Sequence, residues 1–170
     1  MRIILFPLPF NIGTDIVHIP RIHRLITSRT GSTKLPVTYL DRFTRRILCD
    51  QEQEYFRSRF IQHQGHLPHS LSFLPSDSPS AVETYTIARW LAGRFAAKEA
   101  ARKAAPGGAA AISWKDVMVR VGAEAGGRPE VVYIKDGGAV GEVGKLSISH
   151  DGEYVVATVL AAGSPDVPVG

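Results

Sequence analysis

The chain is poor in sulfur. Its 170 residues include one cysteine, Cys49, and two methionines. A single cysteine excludes an internal disulfide framework and fits a reducing compartment. Long hydrophobic runs are also missing: no stretch approaches the ~18 apolar residues that a membrane span needs, so no membrane partner is expected. The opening MRIILFPLPF is apolar, but Pro7 and Pro9 interrupt it before it could form the core of a secretory signal. With Arg2 as its only basic residue, it is equally poor as a mitochondrial presequence. The expected location is intracellular, either cytoplasmic or, through a longer precursor, mitochondrial. No G-x-S-x-G elbow, P-loop or Rossmann glycine fingerprint occurs.

What is present reads as one globular domain spanning residues 1–170, with 44% hydrophobic and 21% charged residues. The net charge of +4 is unevenly spread: residues 1–60 hold ten Lys/Arg against five Asp/Glu, and the remainder ten against eleven. The basic first third suits an acidic partner, or is simply a solvated surface.

Residues 11–19 read as a short strand, and 21–25 as the first turn of a helix or a loop. Residues 28–37 read as a loop. Residues 38–60 have helical spacing, with a break near Asp50 and with Asp41 and Asp50 as caps. Residues 61–83 carry three prolines and five serines and are expected to form a long, flexible surface insertion. Residues 86–108 give the strongest helix signal, alanine-rich and stopped by Pro106-Gly107-Gly108. Period-two valines at 117, 119 and 121, the run around Leu146 and Ile148, and Tyr154 to Leu160 read as strands, the last two joined at Asp151-Gly152. The fold class is α+β: a leading strand, helices, then antiparallel strands.

Three groups of residues could carry chemistry. On the long helix, Glu99 and Lys103 project one turn apart from a surface of small side chains at Ala92, Ala96 and Ala100, which is expected to let a bulky ligand come close. Arg94, Lys98 and Arg102 form a second, cationic line. Glu99 could hold a divalent metal while the cations bind phosphates, or Glu99 and Lys103 could be an i,i+4 ion pair in water. Asp15 either faces a site at the start of its strand or caps a turn. Ser147, Ser149 and His150 either bind an anion or form a polar outer face with a turn histidine. His63, His66 and His69 lack the companions of a zinc site, and Cys49 reads as a structural thiol.

In order along the chain, Ile12-Gly13-Thr14-Asp15-Ile16-Val17, Gly93-Arg94-Phe95-Ala96-Ala97-Lys98-Glu99-Ala100 with Lys103, Ile112-Ser113-Trp114-Lys115-Asp116-Val117, Gly127-Arg128-Pro129 and Leu146-Ser147-Ile148-Ser149-His150 form a series. This series resembles the holo-acyl-carrier-protein synthase group of 4′-phosphopantetheinyl transferases. The resemblance implies that family's fold. It also implies transfer of the phosphopantetheine arm of coenzyme A to a serine of an apo acyl carrier protein, releasing adenosine 3′,5′-bisphosphate, within fatty acid biosynthesis. By the same resemblance, Mg²⁺ would sit on Asp15 and Glu99, and Glu99 and Lys103 would be the catalytic pair. Arg94, Lys103, Ser149 and His150 would bind coenzyme A, and Arg21 and Arg24 would face the carrier. The expected assembly is a homotrimer, with no nucleic-acid partner. His18 departs from the group by standing where a glutamate is usual. Two alternatives stand beside this reading: a non-enzymatic basic module that binds nucleic acid or an acidic protein, and a degenerate relative that binds coenzyme A without transferring its arm.

Overall fold

The computed structural model describes residues 8–28, 38–61, 81–122 and 127–163. The expected loop at 28–37, the insertion at 61–83, the three clustered histidines and the chain after residue 163 lie largely or wholly outside that range.

Strand β1 (Phe10–His18) runs into helix α1 (Ile19–Thr27), in which Pro20 occupies the first turn, where its missing N–H costs nothing. Helices α2 (Tyr39–Ile47) and α3 (Asp50–Phe60) follow. Both begin with reciprocal caps, though not where the sequence suggested. Thr38 caps α2, and the Asp41 carboxylate returns a bond to the Thr38 N–H at 3.0 Å. Cys49 precedes α3, and Glu52 accepts from the Cys49 N–H at 3.1 Å. Asp41 and Asp50 are therefore first-turn residues, not the caps themselves.

Helix α4 (Ala81–Ala104) begins before the expected Thr86 and ends two residues short of Pro106, with Gly107 and Gly108 at positive φ. After a single 3-10 turn at Trp114–Asp116 come β2 (Val117–Val121), β3 (Pro129–Lys135), β4 (Val140–Asp151) and β5 (Tyr154–Ala162). The sheet order is β1-β5-β4-β3-β2, antiparallel throughout. The β4–β5 hairpin turns at Gly152-Glu153, with Gly152 at φ 51°.

One face of the sheet packs on α4. Ala88, Ala92, Ala96, Ala97, Ala100, Ala101 and Ala104 are all fully buried. This corrects the expectation of an open small-residue surface that would admit a bulky ligand. What the alanines admit is the sheet. Gly13 of β1 lies so close to α4 that a Cβ there would sit 2.1 Å from the Ala100 carbonyl oxygen. The tight approach sets β1 against the C-terminal third of α4.

The opposite face is open. Ile12, Thr14 and Ile16 on β1 pair with Leu160, Thr158 and Val156 on β5, and alternation points all six side chains away from α4. Ile12 is 69% exposed and Ile16 61%.

Candidate active site

Lys103, near the end of α4, reaches across to β1. Its Nζ donates to the Thr14 carbonyl oxygen at 2.9 Å and to Asp15 Oδ1 at 2.8 Å. Asp15 faces the helix because it shares the strand face of Gly13 and Val17. Glu99 precedes Lys103 by one helical turn. Its Oε1 accepts from Arg102 Nη1 at 2.8 Å and from the Trp114 indole N–H. Both carboxylate side chains are 17% exposed. Among the described residues, Asp15 Oδ2 and Glu99 Oε2 accept no hydrogen bond. The structure thus attaches both predicted acids to the same stretch of α4 and leaves one oxygen of each open.

That donor set fits Mg²⁺, a hard cation that takes one or two carboxylates plus phosphate oxygens and water. No group of three His, Cys, Asp or Glu side chains gathers among the described residues; a Mg²⁺ held by these two carboxylates would draw its remaining ligands from phosphate oxygens and water.

The cationic line on α4 is corrected. Lys98 is fully buried; it pairs with Glu52 and donates to the Ile47 and Trp114 carbonyls at 2.7 and 2.9 Å. Burial pushes its pKa below the usual lysine value, and Glu52 pulls it back. Arg102 donates to the Ile112 and Ala109 carbonyls as well as to Glu99. Arg94 donates to the Val119 carbonyl and lies 4.7 Å from the centre of the Trp90 ring. Lys98 and Arg102 spend their donors on carbonyls and carboxylates of neighbouring segments, so the three form no open phosphate-binding row; Arg94 commits Nη1 alone among the described residues.

His150 sits over Gly93, where a Cβ would be 3.7 Å from its Nε2. Burial lowers the imidazole pKa, and the nearby Arg89 lowers it further. Alternation along β4 turns Ser147 and Ser149 to the open sheet face and His150 to the helix. Ser149 and His150 of one chain therefore point to opposite faces of the sheet. Arg21 and Arg24 are exposed on α1. His18 lies against Tyr154, ring centres 4.9 Å apart, with Nε2 3.4 Å from Glu153. It ties the end of β1 to the hairpin turn.

The model of the 4′-phosphopantetheinyl transferase superfamily matches residues 11–159. The chain belongs to that superfamily. It is 56% identical to the 4′-phosphopantetheinyl transferase B, mitochondrial, of Aspergillus fumigatus, over 96% of this chain and all of that one. It is 34% identical to a holo-acyl-carrier-protein synthase of Koribacter versatilis, over 87% of this chain and 94% of the relative. A solved holo-acyl-carrier-protein synthase of Bacillus anthracis, in complex with CoA (3′,5′-ADP), matches with TM-score 0.53 and 27% identity over 91% of this chain and 96% of that chain. The expected α+β transferase fold and phosphopantetheinyl transferase activity hold, and the basic-module alternative falls away. No helix among the described residues is long and apolar enough to cross a membrane.

For this transferase, sequence reading missed the parts that build the site without touching substrate. Glu52 links the N-terminus of α3 to β2 by accepting from the Val119 N–H at 3.0 Å. The signal available was the glutamate three residues after Cys49, a capping-box spacing. Trp114 appeared only as part of a motif.

Proposed function

We propose that this transferase moves the phosphopantetheine arm from coenzyme A to a serine of an apo acyl carrier protein and that it uses Mg²⁺ held by Asp15 and Glu99. One observation carries the reading: two carboxylates, each with an unclaimed oxygen, are attached to adjacent turns of α4 beside Lys103. When bound, Mg²⁺ would supply charge neutralisation on the pyrophosphate.

The remaining work falls to the chain. Phosphoryl transfer depends chiefly on positioning and electrostatic stabilisation. The serine oxygen bonds to the phosphorus that carries the arm, the bridging P–O bond breaks, and adenosine 3′,5′-bisphosphate leaves with the electron pair. Lys103 is 45% exposed, so its ammonium can turn from Asp15 to an incoming phosphate. The serine proton would pass to Glu99 or to water. His150, beside Arg89 and Gly93, is the group for the nucleotide's phosphate end. Arg21 and Arg24 face outward for an acidic carrier, as in fatty acid biosynthesis.

The open sheet face supports a homotrimer. Ile12, Ile16, Val156 and Leu160 form an exposed apolar patch, and such patches mark association surfaces. Ser147 and Ser149 lie on that face, so a neighbouring copy would meet them. Arg94 and Ser149 join the coenzyme A site in this reading only through such an assembly. A mitochondrial location agrees with the name of the Aspergillus fumigatus relative.

The test is direct. Apo acyl carrier protein, coenzyme A and Mg²⁺ are incubated with the protein, and the carrier is weighed by mass spectrometry. The carrier gains the mass of the arm with the wild type and not with Asp15→Ala or Glu99→Ala, while both variants keep the wild-type melting temperature. Near-normal turnover in either variant would refute the metal assignment.

A further inference from the structure

The carboxylate of Glu99 is not symmetrically held. Both of its donors, Arg102 Nη1 at 2.8 Å and the Trp114 indole N–H, bind Oε1. Among the described residues Oε2 accepts nothing. An oriented N–H can fix a carboxylate only if its own ring is fixed, and Trp114 is fixed from several sides. Its carbonyl accepts from the buried Lys98 ammonium at 2.9 Å. Its ring lies against two guanidinium groups, Arg46 of α2 and Arg102 of α4, each with Cζ 4.7 Å from the ring centre. The Phe95 ring packs beside it at 6.0 Å. Arg102, the second donor, is pinned by the Ile112 and Ala109 carbonyls at 2.9 and 2.5 Å.

We propose that Trp114 is a positioning residue for the transfer. By holding Oε1 with its indole N–H it fixes the plane of the Glu99 carboxylate and leaves Oε2 as the oxygen offered to the cation and the substrate. The inference rests on the reading of Glu99 given above and adds to it a division of labour between the two oxygens. A preorganised donor of this kind lowers the barrier because the carboxylate need not reorganise as charge develops. Trp114 acts through Glu99 and touches no reacting atom.

Trp114→Phe keeps a ring against Arg46, Arg102 and Phe95 and removes only the N–H. The expected result is a fall in kcat of about tenfold, the scale of one hydrogen bond to a charged group. The Mg²⁺ concentration giving half-maximal rate rises several-fold, and KM for coenzyme A stays within about twofold of wild type. Unchanged kcat and Mg²⁺ midpoint would overturn the proposal.

A second measurement uses the wild-type protein and needs no turnover. With the tryptophan indoles labelled with ¹⁵N and coenzyme A present without carrier, Mg²⁺ is titrated in. The Trp114 N–H resonance moves with added Mg²⁺. That of Trp90, nine positions before Glu99 and so about 13 Å away along the helix axis, stays in place. A Trp114 resonance indifferent to Mg²⁺, with Glu99→Ala inactive, overturns the positioning role and leaves the site reading intact. The same indifference with Glu99→Ala fully active takes down both.

Discussion

Two lysines on one helix, five positions apart, each reach a carboxylate on another segment, and they do opposite jobs. Lys98 and its partner Glu52 are 0% and 4% exposed. All three Lys98 donors and both Glu52 oxygens are engaged, by each other, by the Ile47 and Trp114 carbonyls on one side and by the Cys49 and Val119 N–H groups on the other. Lys103 and Asp15 are 45% and 17% exposed, and Asp15 keeps an oxygen free. A buried, saturated pair cannot exchange partners without leaving a charge stranded in low dielectric. A half-exposed pair can give up its contact to a phosphate or a cation at little cost. The first pair joins α2, α3, α4 and β2, and the second, in the proposed reading, is the one that serves chemistry.

That contrast can be broken by removing each lysine in turn. Lys98→Met leaves Glu52 buried without its cation and should cost about 3–5 kcal/mol of stability. At this size that is a fall of roughly 10 °C in melting temperature, measurable by calorimetry. Lys103→Met should leave the melting temperature within a degree or two and lower kcat about a hundredfold, the scale of losing one electrostatic contact to the transferring group. The reverse pattern, an unstable Lys103 variant and a stable Lys98 variant, would invert the assignment.

A smaller effect concerns how close β1 comes to α4. Gly13→Ala places a methyl against the Ala100 carbonyl, and overpacking of this kind costs about 1–3 kcal/mol. It should also lower kcat more than its stability loss explains, because Asp15 moves away from Lys103 together with the strand.

The smallest effect is a pH trend. Burial, and then Arg89, hold His150 below its ordinary 6.5, so the unfolded chain binds this proton more readily than the folded one. Stability from this site is therefore present above the ordinary value and is lost as the pH falls through it. A phosphate beside the ring reverses the preference and favours imidazolium. Coenzyme A binding should then take up a proton, and its KM should fall as the pH is lowered from about 8 to about 6. His150→Gln should flatten this trend.

The sequence made some of this arrangement readable because the signals were local. Helix α4 announces itself by its alanines and its Pro-Gly-Gly stop, and the β4–β5 hairpin by Asp151-Gly152. Asp15, Glu99 and Lys103 stand in motifs. Strand β3 escaped notice because Val131, Val132 and Tyr133 are all buried. Val132 is covered on the far face by its pairing with Val143, and the period of two disappears. Lys98 was misjudged because a charge on a helix reads as a solvated face until its partner is known, and Glu52 lies 46 positions earlier. The small-residue surface was read as an approach for ligand because no local signal tells that Gly13 and β5 fill it.

The central claim is that Asp15 and Glu99 serve one cation, and calorimetric titration of Mg²⁺ into the coenzyme A-loaded protein tests it most directly. The account predicts one Mg²⁺ per chain in the wild type and no measurable binding in either Asp15→Ala or Glu99→Ala. Wild-type affinity for Mg²⁺ in either single variant would contradict it.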